Sequence, residues 1–197
     1  MKLIFITGPS GSGKTTISKY ISKYLRNSYI LSTDNYYKTG FISNLFSKAI
    51  KSYFDKLLSH NQRLIKKDID YILQNESINH CYKYDFINKS TKKNIKNISN
   101  IKNLIIEGIF SLELTNFFSD NQYMLIRLKE KKRICRERIS ERDSIERGKS
   151  EILNLNDFNN GWNIYQKKEK IYSSKILKGI TLKKTNDLDF LLKSLSK

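Results

Sequence analysis

Cysteine, proline and glycine are all scarce in this 197-residue chain, with two, one and eight copies respectively. The cysteines, Cys81 and Cys135, stand far apart. That spacing excludes a clustered zinc site and a disulfide framework, and it points to a reducing, cytoplasmic compartment. No apolar run approaches the ~20 residues that span a bilayer, so no membrane partner is expected. The first apolar run leads into glycines and not into a cleavage site, so no secretory leader is expected either. Acidic residues are few: 19 Asp and Glu stand against 37 Lys and Arg, a formal net charge of +18. Such a surface can draw nucleic acid. Here the lysines are scattered over every segment without a basic tail, and Lys, Asn and Ile are abundant throughout. Codon bias in an AT-rich genome produces that pattern without selection, so nucleic acid is not expected as a partner. The length suits one buried core, hence a single domain over 1–197.

The few glycines are not spread evenly. Three of the eight fall in Gly8-Pro9-Ser10-Gly11-Ser12-Gly13-Lys14-Thr15, a complete G-x-x-x-x-G-K-[ST] phosphate loop. The apolar run Leu3-Ile4-Phe5-Ile6 precedes it, and Ile17, Ile21 and Leu25 follow at helical spacing. Strand, glycine loop, helix is the order the chemistry needs. Glycines let backbone N–H groups turn inward around phosphate oxygens, and the helix N-terminus adds partial positive charge. Ser10, Gly11, Ser12, Gly13, Lys14, Thr15 and Thr16, with Gly8, form the expected nucleotide contact set. Lys14 is placed to reach β- and γ-phosphates, and Thr15 to offer a hydroxyl to Mg²⁺. The expected ligand is a nucleoside triphosphate, ATP or GTP.

The remaining pattern alternates. Ser28–Ser32, Asn103–Ile106, Tyr123–Leu128 and Gly179–Leu182 read as further strands. Lys129–Arg147, Asp157–Leu177 and Asp187–Leu195 read as helices. Residues 40–80 read as helical and irregular, with a stripe of Leu64, Ile65, Ile69, Ile72 and Leu73. Cys81–Thr91 reads as a short extended segment and Lys92–Lys102 as a polar connector. Strands alternating with helices predict an α/β fold of the P-loop NTPase type, an open, mostly parallel β-sheet flanked by helices.

Three further groups carry chemistry. Asp34 follows the second strand, where a parallel sheet opens onto a ligand cleft. A carboxylate there can take a proton from a hydroxyl or hold Mg²⁺ through water, and its bland role is a turn or helix cap. Tyr36, Tyr37 and Lys38 beside it favour a site. Glu107 ends Leu104-Ile105-Ile106, where an acid is costly unless it meets a cation or metal; its bland role is an exposed strand end. Arg133, Arg136, Arg138, Arg142 and Arg147 crowd one predicted helix. Arginine forks suit phosphates, whereas Glu–Arg pairs on a solvated helix contribute only ~0.2–0.5 kcal/mol each. The Arg142-Asp143 and Arg147-Gly148 pairs suggest an arginine-rich lid over about 129–150.

These motifs, from Leu3 to about Tyr165, resemble the uridine kinase family, within the phosphoribulokinase and uridine kinase group of P-loop kinases. The resemblance implies an acceptor-binding insertion at about 35–92. It casts Asp34 of Asp34-Asn35-Tyr36-Tyr37-Lys38 as base for a sugar 5′-hydroxyl. Phe54-Asp55 is similar to the family's ribose-holding Phe-Asp, and Tyr84-Asp85-Phe86 to its nucleoside-contacting Tyr-Asp-Phe. Glu107-Gly108-Ile109 is similar to its Glu-Gly-Ile, and Arg142-Asp143 with Glu146-Arg147-Gly148 to its lid. Four positions depart: Lys56-Leu57 replaces His-Pro, Lys89 a base-contacting histidine, Lys149 an arginine and Asp157 a glutamine. The phosphoryl-transfer parts are kept and the base-reading parts altered. The resemblance therefore implies transfer from ATP or GTP, with Mg²⁺, to a small-molecule hydroxyl, foremost the 5′-hydroxyl of uridine or cytidine. Another acceptor, such as pantothenate, a sugar phosphate or a different nucleoside, stays open, as does a nucleotide-regulated nucleic-acid binder. Catalysis is expected from Asp34, Lys14, Arg142 and Arg147. Substrate contacts are expected from Asp34, Tyr37, Asp55, Tyr84, Phe86, Lys89, Arg142 and Lys149, and metal contacts from Thr15 and Glu107. Relatives often assemble as tetramers, which implies a homo-oligomer.

Overall fold

The computed structural model describes residues 1–50, 52–147, 151–183, 187, 191, 192 and 195; the side chains of residues 42, 44, 144–147 and 151–154 are not among the described groups. Strand β1 (Lys2–Thr7) is central in a five-stranded sheet. Its neighbours are β5 (Asn103–Glu107) and β6 (Met124–Leu128); β2 (Ser28–Ser32) and β7 (Ile180–Leu182) form the edges, giving the order β2-β5-β1-β6-β7. Every pairing in this sheet is parallel. The apolar runs read from sequence are continuous because helices cover both faces.

Alternation along the strands divides the core in two. Leu3, Phe5, Leu104 and Ile106 point to one face, against α3 (Gln62–Asn75) and the short α4 (Ser111–Leu114). Ile4, Ile6, Ile105 and Ile126 point to the other, against α1 (Lys14–Tyr24) and the C-terminal residues Leu191, Leu192 and Leu195. The stripe expected from Leu64 to Leu73 is real: Ile65, Ile69 and Ile72 are completely buried.

Between β2 and β5 the chain also forms α2 (Phe41–Ala49) and a separate antiparallel hairpin, β3 (Ile78–Asp85) and β4 (Ser90–Ile98). The polar connector expected over Lys92–Lys102 is in large part strand β4. Lys- and Asn-rich sequence has weak β propensity, so the ladder with β3 decides, not composition. The helix expected over Asp157–Leu177 is two, α6 (Glu151–Ile171) and α7 (Ser173–Lys178). The arginine-rich helix is α5 (Lys132–Arg147). Both cysteines are free thiols. Among the described residues, no helix is long and apolar enough to cross a membrane.

The topology fixes where chemistry can happen. From β1 the chain runs to the β2 edge, returns to β5 and then crosses to β6 on the far side. Ligands in such sheets sit outside the carboxyl ends of the strands where the order reverses. Those ends deliver the phosphate loop, Asp34 and Glu107.

Candidate active site

At the donor end, Gly11 and Gly13 take left-handed backbone angles, φ 78° and 91°. Gly11 also lets the loop touch α5, since a Cβ there would lie 2.4 Å from the carbonyl oxygen of Cys135. Lys14 is buried inside the loop and donates to the carbonyl oxygens of Gly8 at 2.9 Å and Pro9 at 3.0 Å. Burial lowers its pKa, and the carboxylates of Asp34 and Glu107 act against that. Ser12 Oγ is buried in the same cradle without a protein partner. Two left-handed glycines, a buried ammonium and an uncompensated hydroxyl fit the anionic oxygens of a triphosphate.

Glu107 is only 4% exposed, which excludes its bland role as a solvated strand end. Thr15 Oγ1 donates to Glu107 Oε2 at 3.4 Å, and the register sets Glu107 beside Ile6 and Ser32. Its pKa is raised, first by burial and then by the charge of Asp34; Ser32, Lys14 and Thr15 oppose the shift. Among the described residues no group of three or more His, Cys, Asp or Glu could hold a metal by itself. The Thr15–Glu107 pair instead fits Mg²⁺, a hard cation that takes one or two protein oxygens and completes its shell with phosphate and water.

Asp34 sits in the 3₁₀ turn Thr33–Tyr36 after β2. From it opens a cleft of about 390 Å³ bounded by Ser10 of the phosphate loop. Tyr37, Asp55, Tyr84, Phe86, Lys89 and Arg142 all line this cleft, which brings together residues far apart in the chain. One end is aromatic. The Tyr37 ring lies 4.8 Å from Tyr84, 5.4 Å from Phe54 and 5.8 Å from Phe86, and its hydroxyl donates to the Phe54 carbonyl. Lys89 Nζ stands 5.9 Å from the Phe54 ring. The other end is acidic. Asp55 lies where α6 passes so closely that a Cβ on Gly161 would sit 3.0 Å from Asp55 Oδ1. Asp143 is buried and accepts from Arg142 Nε at 2.9 Å and Nη2 at 2.6 Å. Asp157, Phe158 and Trp162 close the wall from α6.

Two expected residues escape this convergence: the side chain of Arg147 and the whole of Lys149 lie outside the described residues. Thr16 lines a different cleft, of about 400 Å³, with Gly13, Ile17, Leu128 and Arg138. The arginines of α5 divide their roles. Arg133 faces Glu137 at 3.7 Å on the solvated surface, the bland role foreseen for it. Arg138 Nη1 donates to the Gly11 carbonyl at 3.1 Å, a loop contact the sequence reading missed. The signal was present, because Arg138 and Arg142 are four apart and share a helix face.

Comparison with known proteins agrees with this geometry. The AAA domain family matches residues 4–159. The uridine kinase of Borrelia duttonii (strain Ly) is 34% identical over 109 residues, 55% of this chain and 52% of that protein. The uridine kinase of Leuconostoc citreum (strain KM20) is 30% identical over 111 residues, 54% of this chain and 52% of that protein. The chain thus spans about half the length of the curated relatives it matches. Two solved structures share the fold at low identity. One is a proposed fructose transport system kinase from Silicibacter sp. TM1040, with TM-score 0.64, 16% identity and 84% of each chain covered. The other is a possible uridine kinase from Bacillus stearothermophilus, with TM-score 0.58, 15% identity, and 92% of this chain and 88% of that one covered. With its phosphate loop, parallel sheet and a match over well more than half its length, the chain belongs to the AAA domain family.

Proposed function

We propose that the protein is a phosphotransferase that moves the γ-phosphoryl group of ATP or GTP to a hydroxyl of a neutral small molecule, foremost the 5′-hydroxyl of uridine or cytidine. One observation carries the proposal: a single cleft runs from the phosphate loop past Asp34 to an aromatic cluster. Asp34 stands at the junction, where a carboxylate can take the proton of the attacking hydroxyl. Lys14 and Arg142 bring positive charge to the same junction, where charge spreads over the transferring group. Thr15 and Glu107 would hold Mg²⁺, which when bound neutralises charge on the β- and γ-phosphate oxygens.

The acceptor class follows from charge and shape. Four aspartates, Asp34, Asp55, Asp143 and Asp157, line the cleft against two cations, Lys89 and Arg142. Asp143 among them is paired with Arg142, and Lys14 lies within electrostatic reach of Asp34. Carboxylates accept hydrogen bonds from sugar hydroxyls, and Tyr37, Tyr84 and Phe86 offer faces to a planar base. Lys89 only donates, so it favours uracil, with its two carbonyls, over cytosine.

ADP release measured across uridine, cytidine, purine nucleosides, pantothenate and sugar phosphates tests the proposal. Turnover with pyrimidine nucleosides, uridine first, is expected. Turnover confined to phosphorylated or carboxylate acceptors, or none with any compound, would refute it.

A further inference from the structure

The two segments that bring Asp34 and Glu107 together share one buried side chain. His60 is completely shielded from solvent. Its ring centroid lies 4.0 Å from that of Tyr37 and 3.9 Å from that of Phe110. Tyr37 ends the turn that carries Asp34. Phe110 stands three residues after Glu107. The backbone reinforces the junction: Lys38 N–H donates to the Ser59 carbonyl at 2.7 Å, and Asn61 N–H to the Tyr36 carbonyl at 2.9 Å. His60 Nδ1 is 2.9 Å from Ser59 Oγ, which ties the ring to its own turn.

A cation stands beyond the second ring. Lys168 Nζ is 4.0 Å from the Phe110 centroid and pairs with Glu113 at 2.6 Å. Burial first, and then the charge of Lys168, hold the imidazole pKa well below its ordinary value, with the Thr33 backbone acting in the opposite sense. His60 is therefore a neutral, flat wedge at physiological pH. It does not line the acceptor cleft, so its effect on that cleft passes through the rings of Tyr37 and Phe110 and the Thr33 backbone.

We propose that His60 is a positioning residue whose ring, held between Tyr37 and Phe110, sets the spacing between the turn carrying Asp34 and the strand end carrying Glu107. The proposal rests on the phosphotransferase reading of the same site. It differs from a general packing role in what it predicts for the two substrates. The phosphate loop hangs from β1 and α1, so acceptor turnover depends on the wedge, whereas binding of the nucleotide without Mg²⁺, which does not call on Glu107, does not.

The test compares the full chain with His60→Ala and His60→Phe. Acceptor kcat and KM come from ADP release with uridine, and the nucleotide Kd from calorimetry with ATP in the absence of Mg²⁺. His60→Ala is expected to lower acceptor kcat/KM by about 10- to 100-fold, the effect of an ångström-scale misplacement. ATP affinity is expected to stay within about twofold of wild type, a selective loss rather than a uniform one. His60→Phe restores a flat ring and is expected to recover most of the loss. Three results overturn the proposal: unchanged kcat/KM in His60→Ala, a parallel fall in ATP affinity, or a Phe variant no better than the Ala one. If His60→Ala does not fold, His60→Leu replaces it, and equal activity of the Leu and Phe variants is then the overturning result. A wild type that binds ATP but phosphorylates no acceptor removes the parent reading instead, which keeps the two failures distinct.

Discussion

Replacing Gly108 with alanine presses directly on the junction of the candidate site. Gly108 follows Glu107 and has φ 134°, a region that L side chains rarely adopt. Forcing alanine into it costs about 1–3 kcal/mol. The new Cβ would also lie 1.9 Å from Thr33 Oγ1 and 3.1 Å from Asp34 Oδ1. Ordinary contact needs roughly 3.5 Å, so Thr33 must retreat by about 1.5 Å, and Asp34 is bonded to it. Overpacking of that kind adds about 1–3 kcal/mol. The variant should lose about 2–6 kcal/mol of stability in urea titrations. It should also lose about 100-fold in acceptor kcat/KM by ADP release, because an ångström at the base matters that much. Gly40→Ala is the control. Gly40 has φ 93°, but a Cβ there meets nothing within 4 Å, so only the backbone cost applies and turnover should survive. If Gly108→Ala is destabilised by less than about 1 kcal/mol and turns over as wild type does, the close approach of the two segments does not govern catalysis.

Other perturbations address the remaining groups. Lys14→Ala should abolish transfer and leave circular dichroism unchanged, because Lys14 donates to the loop carbonyls of Gly8 and Pro9 and packs in neither hydrophobic core; activity within about tenfold of wild type contradicts its placement at the phosphates. Asp34→Asn keeps the shape but cannot take a proton, so kcat should fall about 10²–10⁴-fold with ATP affinity preserved, and full turnover would leave Asp34 a mere turn residue. Arg142→Ala removes the two hydrogen bonds donated to Oδ1 of buried Asp143 and takes a cation from the cleft; a loss in kcat/KM on the order of 1.5–3 kcal/mol is expected, against none if the arginine only solvates its helix. Glu107 has a raised pKa, so the folded state binds its proton more tightly than the unfolded state does. Stability should therefore decline as pH rises from the unfolded value through the folded one, and Glu107→Gln should flatten urea midpoints measured between about pH 4 and 7. An identical slope in the variant would show that other groups set it.

What sequence reveals here divides by how local the cause is. The phosphate loop was legible because eight consecutive residues hold the whole pattern, and its two left-handed glycines fall where the motif puts them. The central strands were legible because a strand buried on both faces must be apolar throughout. Strand β4 was hidden because Ser90–Ile98 is mostly exposed and rich in Lys and Asn; its only cause is the hydrogen-bonded partner across the hairpin. Glu107 could be suspected from its apolar neighbours, but its burial was fixed by strands distant in sequence. His60 gave no signal, because its place between Tyr37 and Phe110 exists only once three separate segments have packed. Arg138 shows the middle case, where a helix-face rule pointed the right way among five arginines without choosing one.

Charge composition separates drift from function in a way that neither motif nor fold does. Across the chain, cations outnumber acids about two to one, 37 against 19. Along the acceptor cleft the ratio inverts, with four aspartates against Lys89 and Arg142. Lysines are scattered over every segment, and Lys89 stands on this wall too. The aspartates nevertheless come from four separate elements: the turn after β2, the 3₁₀ turn Tyr53–Asp55, α5 and α6. No single sequence accident places all four on one cavity. Like-charge repulsion between neighbouring carboxylates is offset where a cation meets them, as Arg142 meets Asp143. On the proposed reading, a neutral molecule donates hydroxyl hydrogen bonds to this wall, whereas an anionic acceptor adds negative charge to it. On the proposed reading, the basic surface draws the anionic nucleotide while this wall receives the uncharged acceptor.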